Sequence, residues 1–405
     1  MKIRDTSHLI ASVIEDGAKM GCVPNFSEEL NELRLKGLER KMRFVSSSCG
    51  RQIIINGKKV LNFCSNNYLG LADDSHLKKA AISAINKFGI GSGASRLVSG
   101  SNILHKRLEE KLADFKKQEA CLVYPSGYSA NLGIIPTLAD RNSVVFCDRL
   151  NHASIIDGII LSRAELARYP HKDTHSLEEL LKKNSGYKNK LIISDSVFSM
   201  DGDIAPLPEL SRLAEKYDCL LMVDEAHSTG VLGKSGRGIL EHFGLKANKR
   251  IIQMGTLSKA MGGLGGFVCG SRDLIDYLVN RSRSFIFTTA LPAANCASAL
   301  EAIRIIEKDR PRIQRLKENA DFLRDGLRSL GFDTLNSQTP IIPILTQDPR
   351  RTMELSQKLF EKGIFVQGIR PPAVPDNLCR LRVTAMATHT KKDLEFALSV
   401  FKEIR

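Results

Sequence analysis

The sequence predicts an α/β protein built on a mainly parallel, doubly wound sheet, and three observations predict it. Between about residues 61 and 290, short apolar runs alternate with amphipathic helical segments. Strands joined through helices need crossover connections, which are right-handed and produce parallel sheets. Several of these runs end in acidic, hydroxyl or histidine residues, and open α/β sheets bind their ligands at the carboxyl ends of strands. Finally, 405 residues, 42% of them hydrophobic and 26% charged, make a globular chain with a sizeable core, and no stretch approaches the roughly 18 consecutive apolar residues of a membrane-spanning helix.

Residues 1–60 read as a helical arm, with Leu30, Leu33, Leu35 and Leu38 on roughly helical spacing, followed by a hairpin around Ile53-Ile54-Ile55-Asn56-Gly57-Lys58. An Asn-Gly pair between apolar residues is a strong turn signal. Residues 61–290 form the large domain. Its strands are expected at Cys121–Tyr124, Ser143–Cys147, Leu191–Ser194, Leu220–Val223, Ile251–Met254 and Gly266–Cys269. Residues 291–405 form a smaller α+β domain. It opens with a helical pattern through Leu300, Ile303, Ile306, Ile313, Leu316 and Leu323, which Pro311 kinks or breaks. Strands near Ile341–Leu345, Gly363–Gln367 and Leu381–Thr384 then alternate with helices.

Charge and cysteine usage narrow the setting. Lys and Arg total 59 against 45 Asp and Glu, a formal +14 that favours an acidic partner: nucleic acid, an acidic carrier protein or a phosphorylated ligand. Nine cysteines (Cys22, Cys49, Cys64, Cys121, Cys147, Cys219, Cys269, Cys296 and Cys379) stand singly, so neither a zinc cage nor a disulfide framework is indicated, and a reducing cytoplasm fits best. The apolar segment Leu9–Ile14 is short, interrupted by Ser12 and followed by Glu15 and Asp16, unlike a secretory signal.

Leu220-Leu221-Met222-Val223-Asp224-Glu225-Ala226-His227 is the most informative segment: an apolar strand delivering an acid and a histidine. The same letters occur in helicase ATPases, but the phosphate loop fails. The Gly233-Lys234-Ser235 triplet has Ser228 where G-x-x-x-x-G-K-[ST] needs its first glycine, and it follows the acidic strand instead of preceding it. A nucleic-acid motor is therefore not expected. A second strand, Ile251–Met254, leads into Thr256, Ser258 and Lys259 and then Gly262-Gly263-Leu264-Gly265-Gly266. Lysine in a glycine-rich loop is usually just solvated. Asp224 and Lys259 together carry more, because pyridoxal phosphate needs a lysine amine to bind its aldehyde and a carboxylate to keep its ring nitrogen protonated. The group also needs an anion cradle, and Ser126-Gly127-Tyr128-Ser129-Ala130-Asn131 opens a helix after Cys121–Tyr124. Ser126 alone reads as an ordinary helix cap. His152, just past another strand, is a candidate to stack on the cofactor ring. His171 and His175 share a helical spacing but lack a third ligand, so no metal site is expected. Gly89-Ile90-Gly91-Ser92-Gly93-Ala94-Ser95-Arg96 does not follow the dinucleotide-binding pattern and reads as a close-approach or connecting loop.

Taken together, Asn66-Asn67-Tyr68-Leu69-Gly70, Ser126-Gly127-Tyr128, Asn151-His152-Ala153-Ser154, Val197-Phe198-Ser199-Met200-Asp201-Gly202, Asp224-Glu225-Ala226-His227 and Ser258-Lys259 resemble the α-oxoamine synthases, fold-type I pyridoxal-phosphate transferases. The likeness runs from about residue 38 to the C-terminus. It implies a seven-stranded, mainly parallel sheet flanked by helices and a homodimer with shared active sites. It also implies Lys259 as the Schiff-base lysine, Asp224 as the ring-nitrogen partner, and His152 as the stacking residue. His227 and Ser199 would lie near the cofactor's phenolic oxygen, with Gly127, Tyr128 and Thr256 holding cofactor or phosphate. Thr288 or Thr289 would be lent to the neighbouring subunit's phosphate. Arg382 matches the arginine for the amino-acid carboxylate, Arg40 the one near the acyl substrate's distal carboxylate, and Asn66 lies in an active-site segment. Gly368–Pro375 and Arg380-Leu381-Arg382 look most like the member that condenses L-alanine with a pimeloyl thioester, on an acidic acyl carrier protein or coenzyme A. Siblings use glycine or serine with an acyl-CoA. One departure is Ala373, which stands where threonine is common near the substrate.

Overall fold

A computed structural model describes residues 25–405. The chain divides into a short unit ending at Met42 and a large one, Arg43–Arg405. In the first, Asn25 caps a helix over Phe26–Leu35 that buries none of its residues. Leu38 lies beyond its end, and the segment Leu9–Ile14 lies outside the described residues.

In the large unit, β1 (Gln52–Ile55) and β2 (Lys58–Asn62) form the expected hairpin. Asn56 and Gly57 both take positive φ (51° and 76°), the conformation a two-residue hairpin turn demands. The central sheet is built from β3 (Ala120–Tyr124), β4 (Ser143–Asp148), β5 (Glu165–Tyr169), β6 (Asn189–Asp195), β7 (Leu220–Asp224), β8 (Ile251–Thr256) and β9 (Gly266–Gly270). Its order is β3-β9-β8-β7-β6-β4-β5. The strands from β8 to β5 run parallel, and β9 is antiparallel to both neighbours. Each of β3, β4, β8 and β9 is buried along its whole length, as expected of strands covered on both faces. Apolar clusters lie on either side of the sheet's residues, one holding Phe146, Ile192 and Val223, the other Val145, Ile193 and Met222.

The pattern after residue 290 resolves into two helices, Ala293–Lys308 and Arg310–Ser329. Pro311 does not kink a continuous helix. It occupies the first turn of the second helix, where its missing N–H costs nothing, and Asp309 caps the start. A second sheet then forms from β10 (Ile341–Gln347), β12 (Gln367–Ile369) and β13 (Cys379–Thr384), in the order β10-β13-β12. Between them, β11 (Ile364–Phe365) pairs in parallel with β2, so the hairpin shares a sheet with a segment from the far end of the chain. Among the described residues, no helix is long and apolar enough to cross a membrane, and no group of acidic, His and Cys side chains is arranged to hold a metal.

Candidate active site

Strand ends and one helix start enclose a cavity of about 250 Å³. β6 delivers Asp195, β7 delivers Asp224 and the turn to His227, and β8 delivers Thr256, Ser258 and Lys259. Asp195 and Asp224 are register partners on adjacent strands. Opposite them, helix Gly127–Leu138 begins with Ser126, whose hydroxyl accepts from the Ser129 N–H at 3.0 Å. Ser126 is thus a helix cap and a cavity wall at once. The first N–H groups of this helix have no acceptor within it, and Gly127 and Tyr128 line the cavity beside Thr256 and Ser258. A Cβ on Gly266 would lie 2.4 Å from the Ser126 carbonyl oxygen, so only glycine lets β9 start this close to the cradle.

Lys259 Nζ lies 2.8 Å from His227 Nε2. Tyr68 Oη lies 2.6 Å from the other ring nitrogen, Nδ1. Burial lowers the lysine to about 8, with Asp224 opposing the shift and Arg382 adding to it. Burial, then the charges of Lys259 and Arg382, hold His227 well below the usual histidine range. His227 is thereby kept neutral, and Lys259 gives up its proton more readily than a free lysine. His152 is also lowered, chiefly by burial, against the pull of Asp224. Asp195 is pushed well above the carboxylate range by burial and by Asp224 beside it. Asp224 takes hydrogen bonds from Asn131 Nδ2 and the Ala226 N–H, each 2.9 Å.

Of the residues expected at the site, Gly127, Tyr128, His152, Ser199, Asp224, His227, Thr256 and Lys259 line this one cavity. Arg382, on β13, binds the Ser199 carbonyl through Nε at 2.6 Å, and its charge reaches Tyr68, His227 and Lys259. Asn66 is not in the wall; its Oδ1 lies 3.4 Å from Tyr68 Oη, one contact removed from His227. Ala373 is exposed in the loop before β13 and lies outside the wall. Thr288 and Thr289 are likewise outside it, and Thr289 bridges Ser95 in a short antiparallel contact. That contact ties down the glycine-rich loop, where Ala290 N–H also donates to the Ala94 carbonyl at 3.0 Å. Arg40 lies in the separate N-terminal unit. The two ring nitrogens of His171 bridge Asp148 and Asp203 at 3.1 and 2.9 Å, outside the cavity wall.

Asn131 and Ser154 also line the wall; both stand in segments the sequence singles out but have no role of their own there, and Asp195 lies outside every expected segment. Asp195 had a readable signal, since it ends the apolar run Leu191-Ile192-Ile193-Ser194 much as Asp224 ends its own. The donor set suits pyridoxal phosphate: an amine lowered to about 8, a buried carboxylate in the same cavity, and hydroxyls grouped at a helix start.

Comparison with known proteins gives the same family at each level. The profile of the family described as aminotransferase class I and II matches residues 58–401. An 8-amino-7-oxononanoate synthase from Geobacter sulfurreducens is 52% identical over 378 residues, covering 93% of this chain and 96% of the relative. A protein of that name from Thermoanaerobacter pseudethanolicus is 50% identical, covering 93% and 95%. Among solved structures, a serine palmitoyltransferase variant from S. paucimobilis with a bound PLP–myriocin aldimine superposes with a TM-score of 0.89 at 32% identity, covering 99% and 98%. An 8-amino-7-oxononanoate synthase from Francisella tularensis gives 0.74 at 31% identity, covering 85% and 97%.

Proposed function

Because this chain belongs to the aminotransferase class I and II family, we propose that it is a pyridoxal-phosphate-dependent α-oxoamine synthase, an 8-amino-7-oxononanoate synthase of biotin biosynthesis. It joins L-alanine to a pimeloyl thioester, releasing carbon dioxide and the free thiol carrier. The observation that carries this reading is the Lys259 amine in one cavity with Asp224, on a chain half identical to curated synthases along nearly its full length.

Lys259 is the residue that holds the cofactor's aldehyde carbon. With the cofactor bound, Asp224 would pair with its ring nitrogen, His152 would serve its ring face, and His227 and Ser199 its phenolic oxygen. Gly127, Tyr128 and Thr256 hold the phosphate, with Thr288 or Thr289 supplied by a second subunit. Once bound, the group supplies a cationic ring that takes up the electron pair left at the amino acid's Cα. Once the substrate's amine has taken its place on the cofactor, the freed Lys259 amine, lowered to about 8, would be the base that removes the Cα proton and later returns one. Asp224 keeps the counter-charge in place, and Arg382 orients the alanine carboxylate. By the likeness in sequence, Arg40 is assigned to the acyl chain's distal carboxylate, and Asn66 and Ala373 to the substrate. Homodimer formation draws support from the exposed apolar residues around the Ser95–Thr289 contact: Val98 is 79% exposed, Ile90 75% and Phe287 71%. The reaction belongs in the cytoplasm, where thiols stay reduced.

Product identity tests the reading: alanine with pimeloyl thioester should yield 8-amino-7-oxononanoate, and glycine or serine should not replace alanine. The high TM-score to serine palmitoyltransferase favours a serine-using sibling as the second reading, and the same panel decides between them. Borohydride reduction followed by peptide mapping should place the phosphopyridoxyl group on Lys259; a different lysine refutes the assigned site. The +14 charge supports an acidic carrier protein as acyl donor. Salt should then slow the carrier-bound donor more than pimeloyl-CoA, and equal salt sensitivity refutes steering.

A further inference from the structure

Asp224 and His152 are joined by a chain of hydrogen bonds whose direction is set by the chemistry of its members. Asn131, 1% exposed on helix Gly127–Leu138, sends Nδ2 to Asp224 Oδ2 and to Ser154 Oγ, both at 2.9 Å. Reversing the amide would set its oxygen against the Asp224 carboxylate, acceptor against acceptor, so both amide hydrogens are committed as donors. Ser154 Oγ therefore has a lone pair occupied and its own hydrogen to give, and its neighbour is His152 Nδ1 at 2.7 Å. The same nitrogen faces the Ser154 N–H at 3.2 Å, because His152 caps helix Ala153–Ser162 with its own ring. Two donors converge on Nδ1, which must then be the unprotonated nitrogen.

We infer that Asn131 and Ser154 are positioning residues, which together orient the Asp224 carboxylate and hold the His152 imidazole neutral with its proton on Nε2. Through one amide, the residue assigned to the ring nitrogen and the residue assigned to the ring face are set by the same anchor. The His152 backbone is fixed from the other side, since its N–H donates to Asp195 Oδ2 at 2.9 Å. A ring pinned by its N–H, by Nδ1 and by the helix it caps cannot turn without breaking several bonds. The catalytic part of this inference rests on the function proposed above; the tautomer does not.

The test uses the holoenzyme with 15N-labelled histidine and the Ser154→Ala and Asn131→Asp variants. In the unmodified protein, the His152 resonances, assigned by their loss in His152→Gln, should show Nε2 protonated and Nδ1 bare. Ser154→Ala should lower kcat about tenfold, the effect of one net hydrogen bond, with KM for alanine changed less than about threefold. Asn131→Asp keeps the size but removes both donors, and should lower kcat by about a hundredfold and shift the cofactor's absorption band. A proton on Nδ1 in the unmodified protein overturns the inference whatever reaction the enzyme performs. So does a Ser154→Ala enzyme within twofold of the original, or one more damaged than Asn131→Asp. The expected tautomer in a protein inactive with alanine and pimeloyl thioester would refute the proposed reaction and leave the hydrogen-bond chain standing.

Discussion

Lys116→Met should destabilise the protein by about 3–5 kcal/mol, the range for removing one partner of a buried ion pair. Lys116, at the end of helix Ile103–Lys116, pairs with Glu225, and both side chains are 0% exposed. Its Nζ also donates to the Arg237 carbonyl and lies 3.4 Å from Thr229 Oγ1. Methionine fills nearly the same space, so the loss is electrostatic: the Glu225 carboxyl keeps only the Ile239 N–H at 2.9 Å and Gln253 Nε2 at 3.2 Å as partners in a dry interior. At about 2.1 cal/mol/K of unfolding entropy per residue, 405 residues give roughly 0.85 kcal/mol/K, so the melting temperature should fall by about 4–6 °C. Adding Glu225→Met removes the stranded carboxyl and leaves neutral groups short of partners, the Ile239 N–H, Gln253 Nε2 and the Arg237 carbonyl, at about 1–3 kcal/mol. The double variant should therefore melt above the single one. Calorimetry of the original, the two single variants and the double variant measures this cycle. A Lys116→Met loss below about 1 kcal/mol, or a double variant showing the sum of the single losses, refutes the picture of a dry, mutually dependent pair.

Asp224→Ala leaves the cofactor's ring nitrogen without its counter-charge. A loss of about 3–5 kcal/mol at the transition state would lower turnover by about 150- to 5,000-fold, read by steady-state assay. With Lys259 at about 8, capture of pyridoxal phosphate by cofactor-free protein should accelerate as the pH rises toward 8 and level off above it. A rate still climbing at pH 10 marks an ordinary lysine. His171 is raised to about 9 by hydrogen bonds and charge from Asp148 and Asp203, which outweigh its burial. Because its folded value exceeds the unfolded one, its contribution is complete below about pH 6.5 and is lost as the pH rises through about 9. The stability gap between the original protein and His171→Gln should therefore be widest near pH 6 and narrow by pH 9.5, as urea titration would show.

Six strands of the central sheet and several residues at their ends were legible because strands buried on both faces are continuous apolar runs, and a polar residue closing such a run stands out. β5 escaped notice for the opposite reason. Glu165-Leu166-Ala167-Arg168-Tyr169 is an edge strand with one wet face, and its polar residues interrupt the run. Lys259, Asp224, His227 and His152 could be read as candidates because each follows a strand. The contacts that make them a site could not. Tyr68 reaches His227 across 159 residues and Asn131 reaches Asp224 across 93, distances over which local pattern carries no information. Asn131 also looks like any polar residue in the first turns of a helix until the fold places a carboxylate against it.

The parallel pairing of β2 with β11 has a consequence for how the protein is made. Leu61 leaves the ribosome about 300 residues before Ile364, its sheet partner, and at roughly 5–20 residues per second the wait is on the order of 15–60 s. Throughout that interval one flank of β2 offers bare N–H and C=O groups, a template for any passing strand. Nascent chains stopped before residue 363 should accordingly need chaperones far more than the finished chain, and the closing of this small sheet records that synthesis is nearly complete.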